Sequence, residues 1–140
     1  MSTHIMKRFA LPKRMVAVLV AVTAGLGVSL LGATAAHAEV YSSCTLSTCA
    51  DGATAVSTWE SLGDPTTRGW YNLSDGECDY AGGVYYNDDG QLPSGDSYYE
   101  YDVYPRSCGA HRDAYRIVHD VTADVWYFSP DHYSDFYQLS

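Results

Sequence analysis

Tyrosine and valine alternate with acidic residues along Tyr98–Tyr104, and this pattern predicts a β-strand. Five of the seven residues are Tyr or Val, which favour a pleated, half-buried surface. Strand side chains alternate between faces, which gives a core set of Tyr99, Tyr101 and Val103 and an opposite set of Tyr98, Glu100, Asp102 and Tyr104. A carboxylate in the middle of a sheet costs free energy unless cations or hydrogen-bond donors meet it. We therefore expect Glu100 to lie beside Arg112, Arg116 and His132.

The pattern before this strand is helical. Asp51 is a candidate N-cap, and a core face follows at helical spacing in Ala53, Val56, Trp59 and Leu62. The run 63–65 (Gly-Asp-Pro) predicts the end of this helix.

The remaining segments are shorter. Residues 39–49 are predicted to be loop-like, and residues 68–78 to be a connecting segment or a short second helix. Further strands are predicted at 84–86, 115–119, 124–128 and 133–139, with turns at 87–90, 105–109 and 129–131. The order predicts an α+β fold in which an N-terminal helix packs on a small antiparallel β-sheet.

Residues 1–38 have the pattern of a signal peptide. A basic head (Lys7, Arg8, Lys13 and Arg14) precedes an apolar run at 15–31, and Ala-His-Ala at 36–38 is a small-x-small cleavage site. A membrane anchor is the alternative, but the Ala- and Gly-rich run ends in a cleavage signal. We therefore expect a secreted, extracellular domain of residues 39–140 that has no membrane association after cleavage.

All four cysteines lie in this domain: Cys44, Cys49, Cys78 and Cys108. In an oxidising compartment they predict two disulfides, and the sequence leaves all three possible pairings open. Zinc is the rival, but the chain contains no Cys-x-x-Cys pair and the histidines lie far away in sequence.

The domain is strongly acidic. Residues 39–140 contain four arginines, no lysine and all 17 acidic residues, which gives a formal charge of −13. This charge excludes extended binding to nucleic acid, because such binding depends on neutralising many phosphates. A polyanionic substrate would need a small, local positive site.

Glu100, His132, Arg112 and Arg116 together are suited to phosphodiester transfer. A carboxylate can remove a proton from a ribose 2′-hydroxyl, and an imidazolium can protonate the departing 5′-oxygen. Two guanidinium groups can hold the non-bridging oxygens as negative charge develops. Neighbouring strands of one sheet can bring all four side chains to one face.

Four segments in order resemble the secreted microbial guanyl-preferring ribonucleases, the barnase-like group. They are Asn-Asp-Asp-Gly-Gln-Leu-Pro at 87–93, the strand with Glu100, Arg112-x-x-x-Arg116 followed by Ile117, and Asp-His-Tyr-x-x-Phe at 131–136. The resemblance covers residues 74–139 and implies the microbial ribonuclease fold.

The resemblance also implies roles for individual residues. Glu100 corresponds to the general base, His132 to the general acid, and Arg116 and Arg112 to two phosphate-contacting arginines. Tyr133 corresponds to a residue near the phosphate. The implied reaction cleaves single-stranded RNA through a 2′,3′-cyclic phosphate and then hydrolyses that product, without metal or other cofactor.

The segment 87–90 corresponds to a guanine-recognition loop. A carboxylate can accept hydrogen bonds from both N1–H and N2–H of guanine, and here Asp89 replaces the glutamate of the family. Asp is one methylene shorter, and the family's Asn-Arg-Glu-Gly is Asn-Asp-Asp-Gly here, which removes a cation. Asn87, Asp89, Tyr86 and Tyr133 are thus the predicted substrate-binding residues, with Tyr85, Tyr86 and Tyr133 as candidates for base stacking.

Two other functions compete with this prediction. One is a secreted, disulfide-stabilised binding module whose active site has decayed, which the acidic charge favours. The other is a glycosidase using Glu100 with Asp102 or Asp131, although so small a domain has little room for a sugar cleft. The family resemblance further implies a monomer and an intracellular barstar-like inhibitor as a partner.

Overall fold

The computed structural model describes residues 38–139, so the predicted signal peptide lies almost wholly outside the described residues. Within this range, no helix is long and apolar enough to cross a membrane. The elements in chain order are β1 (Val40–Tyr41), α1 (Cys49–Ser61), β2 (Gly69–Asn72), β3 (Cys78–Tyr85), β4 (Tyr98–Asp102), β5 (Arg116–Asp120), β6 (Val125–Ser129) and β7 (Phe136–Gln138).

The strands form one sheet in the order β1-β7-β6-β5-β4-β3-β2. From β2 to β7 each strand pairs antiparallel with the next, whereas β1 runs parallel to β7, with Val40 opposite Phe136. The prediction of a purely antiparallel sheet was therefore wrong at this edge, and so was the prediction of a loop from residue 39. The backbone N–H of Phe136 donates to the carbonyl of Glu39 at 2.9 Å, which aligns β1 with the last strand.

Helix α1 begins earlier than predicted. Its N-cap is Thr48, and the backbone N–H groups of Asp51 and Gly52 both donate to the Thr48 carbonyl. Asp51 is therefore inside the first turn and is not the cap. Its carboxylate instead accepts a hydrogen bond from the Tyr104 hydroxyl at 2.7 Å.

The buried stripe of α1 consists of Gly52, Ala55 and Trp59, whereas Ala53 and Leu62 are exposed, contrary to the prediction. The stripe shifts because the helix comes very close to β6 at Gly52, where an added Cβ would lie 3.1 Å from the Phe128 ring. Trp59 is fully buried, and its indole N–H donates to the Asp102 carbonyl at 2.9 Å. Ala55 and Trp59 share one core cluster with side chains of the central strands: Ala81, Tyr101, Val103, Ile117, Trp126 and Phe128.

Several strand predictions need correction, and β4 ends at Asp102 rather than at the predicted Tyr104. Residues 69–72, within the predicted connector, form the edge strand β2, which pairs with β3 from Gly69–Ala81 to Asn72–Cys78. Strand β3 starts at Cys78 rather than Val84 and ends before Tyr86, and β7 is shorter than the predicted 133–139. Pairing between distant segments decides these boundaries, and local alternation does not report it.

The disulfides join Cys44 to Cys49 and Cys78 to Cys108. The first closes a short loop before α1. The second ties the start of β3 to the segment after β4, where Cys78 and Arg106 also exchange two backbone hydrogen bonds of 2.8 Å. Two disulfides were predicted, and the structure selects this pairing among the three that were open.

Asp79 is fully buried in β3, and this burial makes it a source of pH-dependent stability. Desolvation raises the pKa of its carboxyl to about 7, and one carboxylate oxygen has no hydrogen-bond partner among residues 38–139. Because the native pKa lies above the unfolded one, the protonated form stabilises the fold at low pH and this contribution is lost as pH rises toward 7. We expect Asp79→Asn to be more stable than wild type at pH 8, by up to about 4 kcal/mol, with a much smaller difference at pH 4. Urea unfolding at both pH values measures this, and a pH-independent difference would contradict it.

Candidate active site

A cavity of about 820 Å³ brings together six of the eight predicted catalytic and substrate-binding residues. Its walls come from the end of β3, the middle of β4, the β3–β4 loop, the β6–β7 loop and two residues that precede β1 and β2. Arg112 and Arg116 are not among the lining residues. Those that line it are Ala38, Arg68, Gly82, Val84, Tyr85, Tyr86, Asn87, Asp88, Asp89, Gln91, Glu100, His132, Tyr133, Ser134 and Asp135.

Glu100 occupies the middle of β4, and its carboxylate lies over the backbone of β3. A Cβ added to Gly82 would lie 1.9 Å from Glu100 Oε1 and 2.4 Å from its Cγ. The β3–β4 register shifts between Ala81 and Gly83, so Gly82 is at a β-bulge, and Gly83 has φ +79°. Bulges of this kind re-aim side chains near active sites. The glycine at 82 thus leaves the space that the carboxylate fills.

The β6–β7 loop holds His132 and Tyr133 in the left-handed backbone region, with φ +58° and +71°. Such conformations cost of order 1–3 kcal/mol each for non-glycine residues and persist only when other contacts hold them. Here the His132 N–H donates to the Ala114 carbonyl at 2.9 Å and the Tyr133 N–H to Ser129 Oγ at 2.8 Å. Asp131 Oδ1 accepts hydrogen bonds from the Ser129 hydroxyl and from the N–H groups of the next turn. These contacts therefore hold the backbone in the conformation that places His132 and Tyr133 in the cavity wall.

Tyr133 connects the two predicted acid–base groups. Its hydroxyl donates to Glu100 Oε2, and its ring centroid lies 4.7 Å from that of His132 and 5.0 Å from that of Tyr85. Burial, then the charge of Glu100 and the hydrogen bond to it, raise the pKa of Tyr133. The phenol therefore remains a hydrogen-bond donor to the carboxylate across the neutral range.

Arg112 and Arg116 pair with Asp102 rather than meeting Glu100, which corrects the expectation from the sequence. Asp102 is fully buried. Arg112 Nε lies 2.9 Å and 3.0 Å from its two carboxylate oxygens, Arg112 Nη2 lies 2.5 Å from Oδ1, and Arg116 Nη1 lies 3.2 Å from Oδ1. Arg106 Nη2 lies 3.8 Å from Asp102 Oδ2 and also pairs with Asp113 Oδ2 at 2.9 Å. In β4, Asp102 is directly opposite Arg116 of β5, so the strand register creates this pairing.

Arg68 lines the cavity, and reasoning from the sequence missed it. Its Nε donates to the Tyr80 hydroxyl at 2.9 Å. This hydrogen bond is the main reason that the pKa of Arg68 is raised, and the charge of Glu100 adds to it. A Cβ added to Gly83 would meet the Arg68 Cβ at 3.4 Å. The double glycine at 82–83 was the available signal, since glycine inside a strand often marks a close approach of another group.

The predicted guanine loop is a turn held by Asn87. This residue has φ +50°, and its side chain donates to the Leu92 carbonyl at 2.8 Å and accepts from the Leu92 N–H at 3.0 Å. The Asn87 side chain thus maintains the loop, while Asp89 and Tyr86 are exposed, Tyr86 to 77%. Tyr85 and Asp89 both line the cavity, and burial and then the charge of Asp89 raise the pKa of Tyr85 to about 12.

Within residues 38–139, no group of three or more histidine, cysteine or acidic side chains is arranged to hold a metal ion. All four cysteines are in disulfides. His119 stacks on Trp126 with ring centroids 4.0 Å apart, and its Nε2 lies 3.2 Å from Asp124 Oδ1.

The cavity therefore combines a carboxylate, an imidazole, a phenol and a guanidinium with aromatic walls. These groups are suited to acid–base catalysis on an anionic substrate that carries planar rings. A comparison with curated protein sequences finds no match. A sequence model described as ribonuclease matches residues 35–140, which is more than half of the chain. The chain therefore belongs to the ribonuclease family, whose members cleave RNA.

Proposed function

We propose that this protein is a secreted endoribonuclease that cleaves single-stranded RNA after guanosine, with Glu100 as general base and His132 as general acid. One observation carries the proposal: in a chain of the ribonuclease family, both side chains line the same cavity and Tyr133 lies between them. The predicted signal peptide and the two disulfides support an extracellular location.

In the first step, Glu100 accepts the proton of the ribose 2′-hydroxyl, and the resulting oxygen attacks phosphorus. The bond from phosphorus to the 5′-oxygen breaks, and His132 donates a proton to that oxygen. The products are a 2′,3′-cyclic phosphate and a free 5′-hydroxyl. In the second step, His132 takes a proton from water, which opens the cyclic phosphate, and Glu100 returns its proton to the 2′-oxygen. These steps require no metal.

Arg112 and Arg116, which pair with Asp102 and do not line the cavity, are proposed to stabilise the phosphate charge electrostatically. Their charges act on the same phenol that hydrogen-bonds to Glu100. Within residues 38–139, Arg112 Nη1 and Arg116 Nη2 donate no hydrogen bond, while Asp102 contacts Arg112 through Nε and Nη2 and Arg116 through Nη1.

Base recognition is proposed to use Asp89 as acceptor for guanine N1–H and N2–H, with Tyr85, Tyr86 and Tyr133 as stacking surfaces. Stacking on an aromatic ring contributes about 1–3 kcal/mol per base and does not discriminate strongly among bases. Discrimination therefore depends on Asp89. An intracellular inhibitor protein and a monomeric state are further expectations from the family.

The test uses purified residues 39–140 with disulfides formed and EDTA present. The dinucleotides GpA, ApA, CpA and UpA are incubated with the protein, and 2′,3′-cyclic phosphates are measured. We expect GpA to be cleaved fastest. Equal cleavage of all four would retain the mechanism and refute the guanine preference, and no cleavage by a folded sample would favour the binding-module alternative.

Gly82→Ala is expected to lower activity much more than stability. The new Cβ must displace the Glu100 side chain, because it would otherwise lie 2.4 Å from Glu100 Cγ. A displaced general base loses alignment with the 2′-hydroxyl, and we expect a fall in kcat of roughly 100-fold. Gly95→Ala, outside the cavity, is the opposite control: its φ of +92° strains an alanine, so we expect it to lower stability and to leave activity unchanged. Full activity in folded Gly82→Ala would contradict the assigned position of Glu100.

A further inference from the structure

Arg68 differs from the other three arginines of the domain in its partners. Arg106, Arg112 and Arg116 each pair with Asp102, and two of them also with Asp113. In the part of the chain that the structure describes, Arg68 makes no ion pair with a carboxylate. It is exposed and lines the same cavity as Glu100 and His132. Among the arginines of residues 38–139, Arg68 is therefore the one whose charge no direct ion pair offsets.

Contacts with two β3 residues, Tyr80 and Gly83, hold Arg68 in place. The Tyr80 hydroxyl accepts the hydrogen bond from Arg68 Nε. Within residues 38–139, the two terminal nitrogens of Arg68, Nη1 and Nη2, have no hydrogen-bond acceptor. The Tyr80 ring is itself held, with the Arg112 guanidinium carbon 4.0 Å from its centroid and the Trp70 ring against it at 5.2 Å. The Arg68 stem lies over Gly83, next to the glycine that makes room for the Glu100 carboxylate. The two neighbouring glycines thus bring a guanidinium and the proposed general base to one cavity.

We propose that Arg68 is a further catalytic residue, which contacts the phosphate of the substrate with its terminal nitrogens, and that Tyr80 is the residue that positions it. This inference rests on the proposed function. The sequence lacks the arginine that the resembling family carries in the guanine loop, where Asp88 stands here. Arg68 enters the cavity from the segment before β2, outside the residues that carry the resemblance. A guanidinium without a carboxylate partner is the group that attracts a phosphate most strongly in so acidic a domain.

Direct binding is tested first, with inorganic phosphate as the probe. Residues 39–140 contain only four arginines, so their four side-chain Nε–H signals can be followed separately by NMR. We expect the Arg68 signal, assigned by its loss in Arg68→Gln, to shift most on titration. An Arg68 signal that stays fixed while phosphate shifts the Arg112 or Arg116 signal would overturn the proposal.

Catalysis is tested on GpA. We expect Arg68→Gln to lower kcat/KM roughly 100-fold, as when one donor to a developing charge is removed, and Arg68→Lys to recover part of the loss. Ala53→Glu is the control, because it changes the net charge by the same one unit on the exposed face of α1. Equal activity of Arg68→Gln and wild type would overturn the proposal, and so would an equal loss in Ala53→Glu.

The positioning role of Tyr80 is tested with Tyr80→Phe, which removes only the hydroxyl. We expect about a tenfold loss in kcat/KM when Tyr80→Phe is made in wild type and little further loss when it is made in Arg68→Gln, because Tyr80 acts only through Arg68. Fully multiplicative losses would refute the positioning role. If wild type cleaves none of the dinucleotides, the proposed function fails, whereas the phosphate titration still decides whether Arg68 binds the anion.

Discussion

Glu100→Gln and His132→Gln are each expected to reduce RNA cleavage by about a thousandfold or more while leaving the fold intact. General acid–base catalysis contributes roughly 10²- to 10⁴-fold per group, and neither amide can replace the proton transfer. Gln at position 100 keeps the shape that fills the space over Gly82 and can still accept the Tyr133 hydrogen bond. A loss of activity in Glu100→Gln therefore reports the loss of proton transfer and not a change in packing.

The chain offers a matched control for each change. Glu77→Gln removes one acidic charge from an exposed turn outside the cavity, and His111→Gln removes an exposed imidazole. Initial rates on GpA, with circular dichroism as a check of folding, should show both controls within about threefold of wild type. If both Glu100→Gln and His132→Gln also cleave at wild-type rates, the assignment of the acid–base pair is wrong.

Asp102→Asn is expected to destabilise the folded domain by about 3–5 kcal/mol, because it leaves buried arginines without their counter-charge. Arg116 is only 3% exposed and Asp102 is fully buried, so solvent cannot replace the lost carboxylate. Whole domains are stable by about 5–15 kcal/mol, so this single change would remove a large fraction of the total. Urea unfolding at pH 7 is the measurement.

Asp113→Asn is the control for this change, because Asp113 also pairs with Arg106 and Arg116 but its side chain is 34% exposed. Ion pairs open to solvent contribute about 0–1 kcal/mol, so we expect a small effect. A double-mutant cycle of Asp102→Asn with Arg112→Gln should give less than the sum of the two losses. Equal stability of Asp102→Asn and wild type would refute a structural role for the arginine cluster.

Alternation along Tyr98–Tyr104 predicted the strand and correctly separated the faces of Glu100 and Tyr101. It did not predict that Asp102, rather than Glu100, would hold Arg112 and Arg116. That pairing depends on the register of β4 against β5 across a loop of thirteen residues, 103–115, and nothing local in the loop specifies this register. The face of the sheet on which a β4 side chain lies could be predicted, but its partner on the neighbouring strand could not.

Strand β2 and Arg68 were missed for a related reason. Gly69–Asn72 is too short to show a period, and it becomes a strand only because β3 offers it an edge. A residue placed by such an edge cannot be assigned to a cavity from its neighbours in sequence. The resemblance to a known family did not help, because it begins only at residue 74. The number of disulfides, by contrast, could be predicted from a count of cysteines and an oxidising compartment, although their pairing could not.

The parallel pairing of β1 with β7 places Ala38 and Glu39 beside the cavity. The Glu39 N–H donates to Asp135 Oδ1 at 3.1 Å, and Ala38, just before it, lines the same cavity as Glu100. Any polypeptide joined ahead of residue 38 is therefore attached at the rim of the catalytic cavity. An affinity tag placed there would share the entrance with RNA, and a leftover basic or histidine-rich tag would bring its own charge and imidazoles into the assay. Recombinant protein for kinetic work should begin at Glu39 and carry its tag at the other end.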